Sequence, residues 1–239
     1  MKFKAIAVMT AATALSLGLA VPALAAPNSA KAAPQVTGSR LASALLPSSA
    51  FGSGFTTLNR HNSGSSLHST QVLVRPSNVS CVNFATYTYL IGYGNTAGAL
   101  DSFLNSNPDF TTYPDVITGA DQRVIQFASA GAAQTFYNRA YARYKQCSAF
   151  NEPAPAFQTH LELTTQSLSS TTIGGHKAFQ LIQHADYASL ARFSLYEVTA
   201  VVLAGTNVYT VDDVNGTNDP VSASLIGRLI SRVQALYKH

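Results

Sequence analysis

Apolar residues change their period along this chain, and each period points to an element. Ala133, Phe136, Ala140, Tyr144 and Cys147 recur every three or four residues, the spacing that gathers them on one helical face. Ser129 precedes them as an N-cap, so a helix is predicted from there to about Cys147. The spacing returns at Val221, Leu225, Leu229, Val233 and Leu236. Asp219 as N-cap and Pro220 at the first helical position predict a second long helix over 219–237. Arg228, Arg232 and Lys238 suit its solvent side and its C-terminal dipole.

Elsewhere the period drops to two or gives way to β-branched runs. Ala99–Leu104, Gln122–Ala128, Phe157–Leu168, His176–Asp186, Arg192–Leu203 and Asn207–Val214 read as strands. Leu203–Asn207 is a tight turn around Gly205, and Gly174-Gly175 leads into the next strand. Earlier signals are weaker. Leu41–Leu46 forms a short helix stopped by Pro47, with faint strand character at Gly54–Leu58 and Gln71–Val74. A short helix or turn fits around Cys81, and Ala85–Gly92 suits either state. Consecutive strands joined by short turns predict an α+β fold: an antiparallel β-sheet with two long amphipathic helices packed on one face.

The N-terminus changes the picture of where the protein works. Lys2 and Lys4 precede an apolar run from Ala5 to Val21, and Ala23-Leu24-Ala25 is a small-x-small cleavage site. Residues 1–25 are therefore expected to be a signal peptide, removed near Ala26. The run is short for a membrane span, so no transmembrane segment is expected after cleavage. No cysteine sits at the cleavage site, so no lipid anchor forms there. The expected location is secreted, extracellular. Residues 26–39, rich in Ala, Pro, Ser and Asn, read as a flexible leader, and 40–239 as one domain.

Charge matters less than it first suggests. The chain has 15 Lys+Arg against 11 Asp+Glu, but Lys2 and Lys4 leave with the signal. No basic run remains, apart from Arg139, Arg143 and Lys145 on one helix, so nucleic acid is not an expected partner.

Cys81 and Cys147 are the only cysteines. In an exported chain an even count reads as a disulfide. A loop of that length would constrain the unfolded chain by about 4 kcal/mol. A catalytic thiol or a zinc ligand would need a nearby activating base or further Cys and His, which the sequence does not supply.

Side chains alternate along a strand, so His160 and Glu162 share one face, as do Gln180, His184 and Asp186. If the two strands are neighbours, the five could form a polar ligand-binding face away from the helices. No metal site or cofactor is expected from two His-x-acid pairs alone. No catalytic set is legible either. There is no Gly-x-Ser-x-Gly elbow. Gly64-Ser65-Ser66, near His61 and His68, reads as loop flexibility, and Asp212-Asp213 points to opposite faces of a strand.

Several segments together resemble the actinobacterial PknH-like extracellular sensor-domain family. They are Val79-Ser80-Cys81, the strand-to-helix unit Gln122–Ala130, its end Tyr144-Lys145-Gln146-Cys147, and Asn207-Val208-Tyr209-Thr210-Val211 followed by the last helix. The resemblance spans about residues 40–239. It implies helices packed on an antiparallel sheet, a ligand cleft, and a match of Cys81 and Cys147 to one family bridge. The kinase sensors' second disulfide has no counterpart here, and neither does the kinase itself. The resemblance implies no catalytic residues. The expectation is a secreted, non-enzymatic, ligand-binding or sensor-like domain of the cell envelope. Its partner would be a small molecule or an envelope component of unknown identity. Two alternatives stand beside it: a secreted hydrolase built on His184, Asp186 and a nearby Ser, and a structural envelope interaction protein.

Overall fold

Eight antiparallel strands form the sheet of the computed structural model, which describes residues 34–63, 67–68, 90–91, 95–105, 118–146, 149–154, 159–187, 195–215 and 218–238. The strands are β1 (Phe55–Ser63), β4 (Asn95–Asn105), β5 (Thr118–Phe127), β6 (Ala149–Ala154), β7 (Thr159–Ile173), β8 (His176–Tyr187), β9 (Leu195–Ala204) and β10 (Asn207–Asn215). Their order is β1-β4-β5-β10-β9-β8-β7-β6. A separate two-residue ladder joins β2 (Leu67–His68) to β3 (Leu90–Ile91). The helices are α1 (Gly38–Ala44), α2 (Ala130–Gln146) and α3 (Ala223–Ala235).

The second half of the sheet is a meander of hairpins, as the alternation predicts. β7 turns into β8 through Gly174 and Gly175, both at positive φ (58° and 79°). Two consecutive left-handed residues match the right-handed twist of the flanking strands, and glycine adopts them without a Cβ clash.

The expected placement of the two long helices on one face is overturned: they lie on opposite faces. On one side, Ala178, Val198, Ala200, Val202, Tyr209 and Val211 pack against Leu225, Ile226, Leu229 and Val233 of α3, together with Leu41 and Leu45 from α1. On the other, Ile125, Phe127, Phe179, Leu181, Val201 and Val208 pack against Ala133, Phe136, Tyr137, Ala140 and Tyr144 of α2. The physical reason lies in the central strands. Ala178 and Phe179 are neighbours in sequence, point to opposite faces, and are both 0% exposed. Ala200 to Ala204 is likewise an unbroken apolar run, the signature of a strand covered on both sides.

The expected disulfide is also corrected. No disulfide is found among the described residues, and Cys81 and Cys147 lie outside them. Among the described residues, aromatic packing joins α2 to the sheet. Tyr137, Tyr141 and Tyr144 surround Phe179 with ring centroids 5.2, 5.4 and 5.5 Å away. Such pairs add about 0.5–1.5 kcal/mol each beyond area burial. The N-cap of α2 is as expected, with Ser129 Oγ accepting from the Ala132 amide at 3.1 Å.

The last helix starts later than Asp219-Pro220 predicts. Its N-cap is Ser222. Val221, just before the cap, and Ile226, four residues after it, are buried in the same cluster. That is the spacing of a hydrophobic staple. Burying Val221 requires the chain to enter the helix extended, so 219–220 stay outside it.

Candidate functional site

Two glutamines on β5 explain how the N-terminal segment is held. Gln122 and Gln126 lie four apart on one strand, hence on one face, and both are fully buried. Gln122 accepts from the Leu46 amide at 2.9 Å and donates to the Leu46 carbonyl at 2.6 Å. Gln126 repeats the pattern with Val36, accepting from its amide at 3.0 Å and donating to its carbonyl at 3.1 Å. Each side-chain amide thus stands in for a neighbouring strand's peptide group, satisfying main-chain groups that burial would otherwise orphan. Tyr237 Oη also donates to Gln126 Oε1 at 2.7 Å, tying in the C-terminal end of α3.

Clamped at Leu46, the chain turns outward through Pro47–Ala50 and forms one wall of a groove. The exposed side of α3 forms the other, and the β7–β8 turn adds Gly174 and His176 to the lining. The groove encloses about 770 Å³ and is lined by Leu46, Pro47, Ser49, Ala50, Gly174, His176, Ser224, Gly227, Arg228, Ile230, Ser231, Arg232 and Gln234. This volume falls within the range of about 300–1,000 Å³ usual for small-molecule sites. Arg232 donates from Nε to the Ala44 carbonyl at 2.8 Å and from Nη2 to Ser43 at 3.3 Å. It thereby satisfies carbonyls at the end of α1 that the helix leaves open. Arg228 Nη2 reaches the Ala50 carbonyl at 3.4 Å. Of the groove's three serines, Ser231 donates to the Gly227 carbonyl at 2.9 Å, and Ser224 pairs with the N-cap Ser222 at 3.0 Å. The lining offers cations, hydroxyls and an apolar strip from Leu46, Pro47, Ala50 and Ile230, but no acid.

The polar residues read from sequence lie elsewhere. β7 and β8 are neighbours, and their register sets Glu162 opposite Asp186 and Thr164 opposite His184. His160 falls opposite Pro153 on β6. Gln180 sits further along, opposite Ser169, and donates to the Val221 carbonyl at 3.3 Å. Its work is to hold the entry to α3. The His184 ring packs against Tyr196 with centroids 5.2 Å apart. The face on which His184 lies is the one that α3 covers further along, because Ile182 and Tyr196 pack at the edge of the α3 cluster. Each side of the sheet carries one of the long helices. The serine-rich turn Gly64-Ser65-Ser66 lies outside the described residues.

A third polar feature is internal. Beyond α2 on its own face of the sheet, Arg123 is 2% exposed and lies 3.1 Å from Asp121 and 3.3 Å from Asp212. The register puts Asp121 opposite Asp212 and Arg123 opposite Thr210. Burial pushes the Asp212 carboxyl above the ordinary carboxylate range, with Arg123 opposing the shift. The side chain also hydrogen-bonds Thr199. Buried charges survive only when paired, and this trio sits in the middle of the sheet.

Sequence reasoning missed the groove. It assigned Arg228 and Arg232 to a solvent-facing side, which is where they are, but the wall opposite them comes from 180 residues earlier in the chain. Among the described residues no group of three or more His, Cys, Asp and Glu could hold a metal ion. Nor is any described helix long and apolar enough to cross a membrane.

Comparison with known proteins bears on the fold and the family. The family described as "PknH-like extracellular domain" matches residues 36–191, well over half the chain. The crystal structure of the extracellular domain of PknH from Mycobacterium tuberculosis superposes with a TM-score of 0.64 at 17% identity, covering 84% of this chain and 98% of that one. An X-ray structure of an uncharacterized protein from Mycobacterium smegmatis aligns at TM-score 0.37 and 10% identity, covering 81% and 96%. No curated protein matches the chain significantly.

Proposed function

This chain belongs to the PknH-like extracellular domain family, and on that premise we propose that it is a secreted, sensor-like domain that binds a small ligand without catalysing a reaction. The observation that supports this reading is the groove between α3 and the Leu46–Ala50 wall, of about 770 Å³. Its walls are held by side-chain hydrogen bonds to main-chain groups. Gln122 holds Leu46, and Arg232 and Arg228 hold the carbonyls of Ser43, Ala44 and Ala50. A pre-formed site of this kind loses little freedom on binding.

The groove's hydroxyls argue against a hydrolase there. Ser231 donates to its own helix and Ser224 pairs with the N-cap Ser222, and no carboxylate lines the groove to orient a base for these or for Ser49. A nucleophile needs both an adjacent base and a group behind it. The strip formed in register by Glu162, His184 and Asp186 remains a second candidate surface for a ligand. His160 and Gln180 lie at its two ends.

An NMR fragment screen on the isotope-labelled mature chain tests the proposal. Binders are expected to shift the amides of 46–50 and 224–234 together, with no chemical change in the fragment. Shifts confined to other surfaces would remove the groove from the proposal. Turnover of any probe that depends on the chain would end the non-catalytic reading.

A further inference from the structure

We infer that the groove is selective for a small ligand carrying an oxyanion, of the phosphate or carboxylate type, on an apolar or ring-like body. This rests on the reading of the groove as the ligand site and adds its chemical class. Three observations on α3 converge. First, Ser224, Arg228 and Arg232 follow one another at intervals of four and line the groove together, so two guanidinium groups stand one helical turn apart. Like charges at that spacing oppose the helix, and neither α3 nor the rest of the groove lining contains an acid.

Second, Gly227 sits in the interior of the same helix and in the groove lining. Glycine is the least helix-favouring residue after proline. Packing does not demand it here: a Cβ built at Gly227 meets nothing within 4 Å. It shows no positive φ either, unlike the turn glycines. The side chain's absence keeps open the space beside Arg228. Helix interiors that break two local rules at one spot, without a packing return, mark sites of function.

Third, the opposite wall complements the cations. Leu46, Pro47, Ala50 and Ile230 give an apolar strip that would take the body of the ligand. The imidazole of His176, also in the lining, offers a further donor. Arg232 is committed through two nitrogens to the end of α1. Arg228 makes a single 3.4 Å bond, which leaves most of its five donors for an incoming oxyanion. Arg228 is therefore assigned as the principal anion contact, Arg232 as a positioned second charge, and Gly227 as the residue that sets the room available.

The test uses phenyl phosphate and benzoate against neutral benzyl alcohol, titrated into the mature chain by calorimetry and NMR. The anions are expected to bind at least tenfold more tightly than the alcohol, with affinity falling as salt rises. Arg228→Gln should lose at least tenfold in phenyl phosphate affinity at an unchanged melting temperature. Gly227→Ala should raise the melting temperature, and Gly227→Leu should raise it too while abolishing binding. Vesicles of phosphatidylglycerol and of phosphatidylcholine separate the sources: binding to the former alone, lost in Arg228→Gln, makes the oxyanion a lipid headgroup. Equal affinity for alcohol and anions, or full affinity in Arg228→Gln or Gly227→Leu, overturns the inference while leaving a ligand-binding groove. Failure of every probe, neutral or charged, to shift residues 224–234 overturns both.

Discussion

Arg123 shows what a single residue does when the sheet is covered on both sides. It is 2% exposed between Asp121 and Asp212, and its charge is tolerated because carboxylates meet it there. Removing the cation by Arg123→Met would leave buried carboxylate charge uncompensated, and a loss of about 3–5 kcal/mol is expected, read from urea unfolding. Asp212→Asn acts in a different direction. Burial raises the Asp212 carboxyl above the ordinary carboxylate range, so the native state holds that proton more tightly than the unfolded chain. The contribution to stability is therefore complete below the ordinary carboxylate range and is lost as pH rises through the raised value. Asp212→Asn should lack this component, so the stability difference between wild type and variant should shrink or reverse from pH 4 to pH 8. Urea midpoints across that range check it; a constant difference would refute the assignment. The sequence displayed Asp212-Asp213 as an adjacent pair facing opposite ways, which is how they stand. What it could not show was Arg123 opposite Thr210 and Asp121 opposite Asp212, because that register joins strands about 90 residues apart.

At the scale of elements, β5 is the organiser. Its face toward α1 and α3 carries Gln122, Val124 and Gln126, all buried, and the two amides hold the segment from Val36 to Leu46 at both ends. Gln122→Ala would leave the Leu46 amide and carbonyl without partners, at about 1–3 kcal/mol for each buried group orphaned. It should also release the groove wall, so amides of 46–50 should exchange faster with solvent while those of α2 do not change. Gln126→Ala is the control, expected to destabilise the protein similarly but to loosen 34–37 instead. The strands of the second half and both long helices were legible from periodicity, because hairpins and helices are local structures. The assignment of helices to faces was not. Alternation identifies two faces but not which helix covers which, and the runs Ala178-Phe179 and Ala200–Ala204 were the only trace of double coverage. The glutamines had a visible signal, two amides at even spacing on the same strand face as Val124. Their partners, 76 and 90 residues away, had none.

For the whole molecule, the clamps imply that the folding unit begins before residue 40, the boundary expected from composition. Val36 is buried at 7% exposure, α1 starts at Gly38, and Leu41, Leu45 and Leu46 are at 0–3%. Those side chains belong to the same cluster as α3 and the central strands, so they are part of the core rather than an appendage to it. Deleting a single buried leucine typically costs about 2–5 kcal/mol, and an entire domain is stable by only about 5–15 kcal/mol. A chain starting at Pro47 would lose three such leucines, both glutamine partners and the clamp that holds the groove wall. It should therefore fail to give a cooperative unfolding transition. A chain starting at Pro34, the first described residue, keeps every one of these contacts and should melt as a chain starting at Ala26 does. Calorimetry on the two truncations decides between the readings. A cooperative transition in the shorter chain, at a melting temperature within a few degrees of the longer one, would show that the Val36–Leu46 segment is laid on a core complete without it. The glutamine clamps would then serve the groove alone.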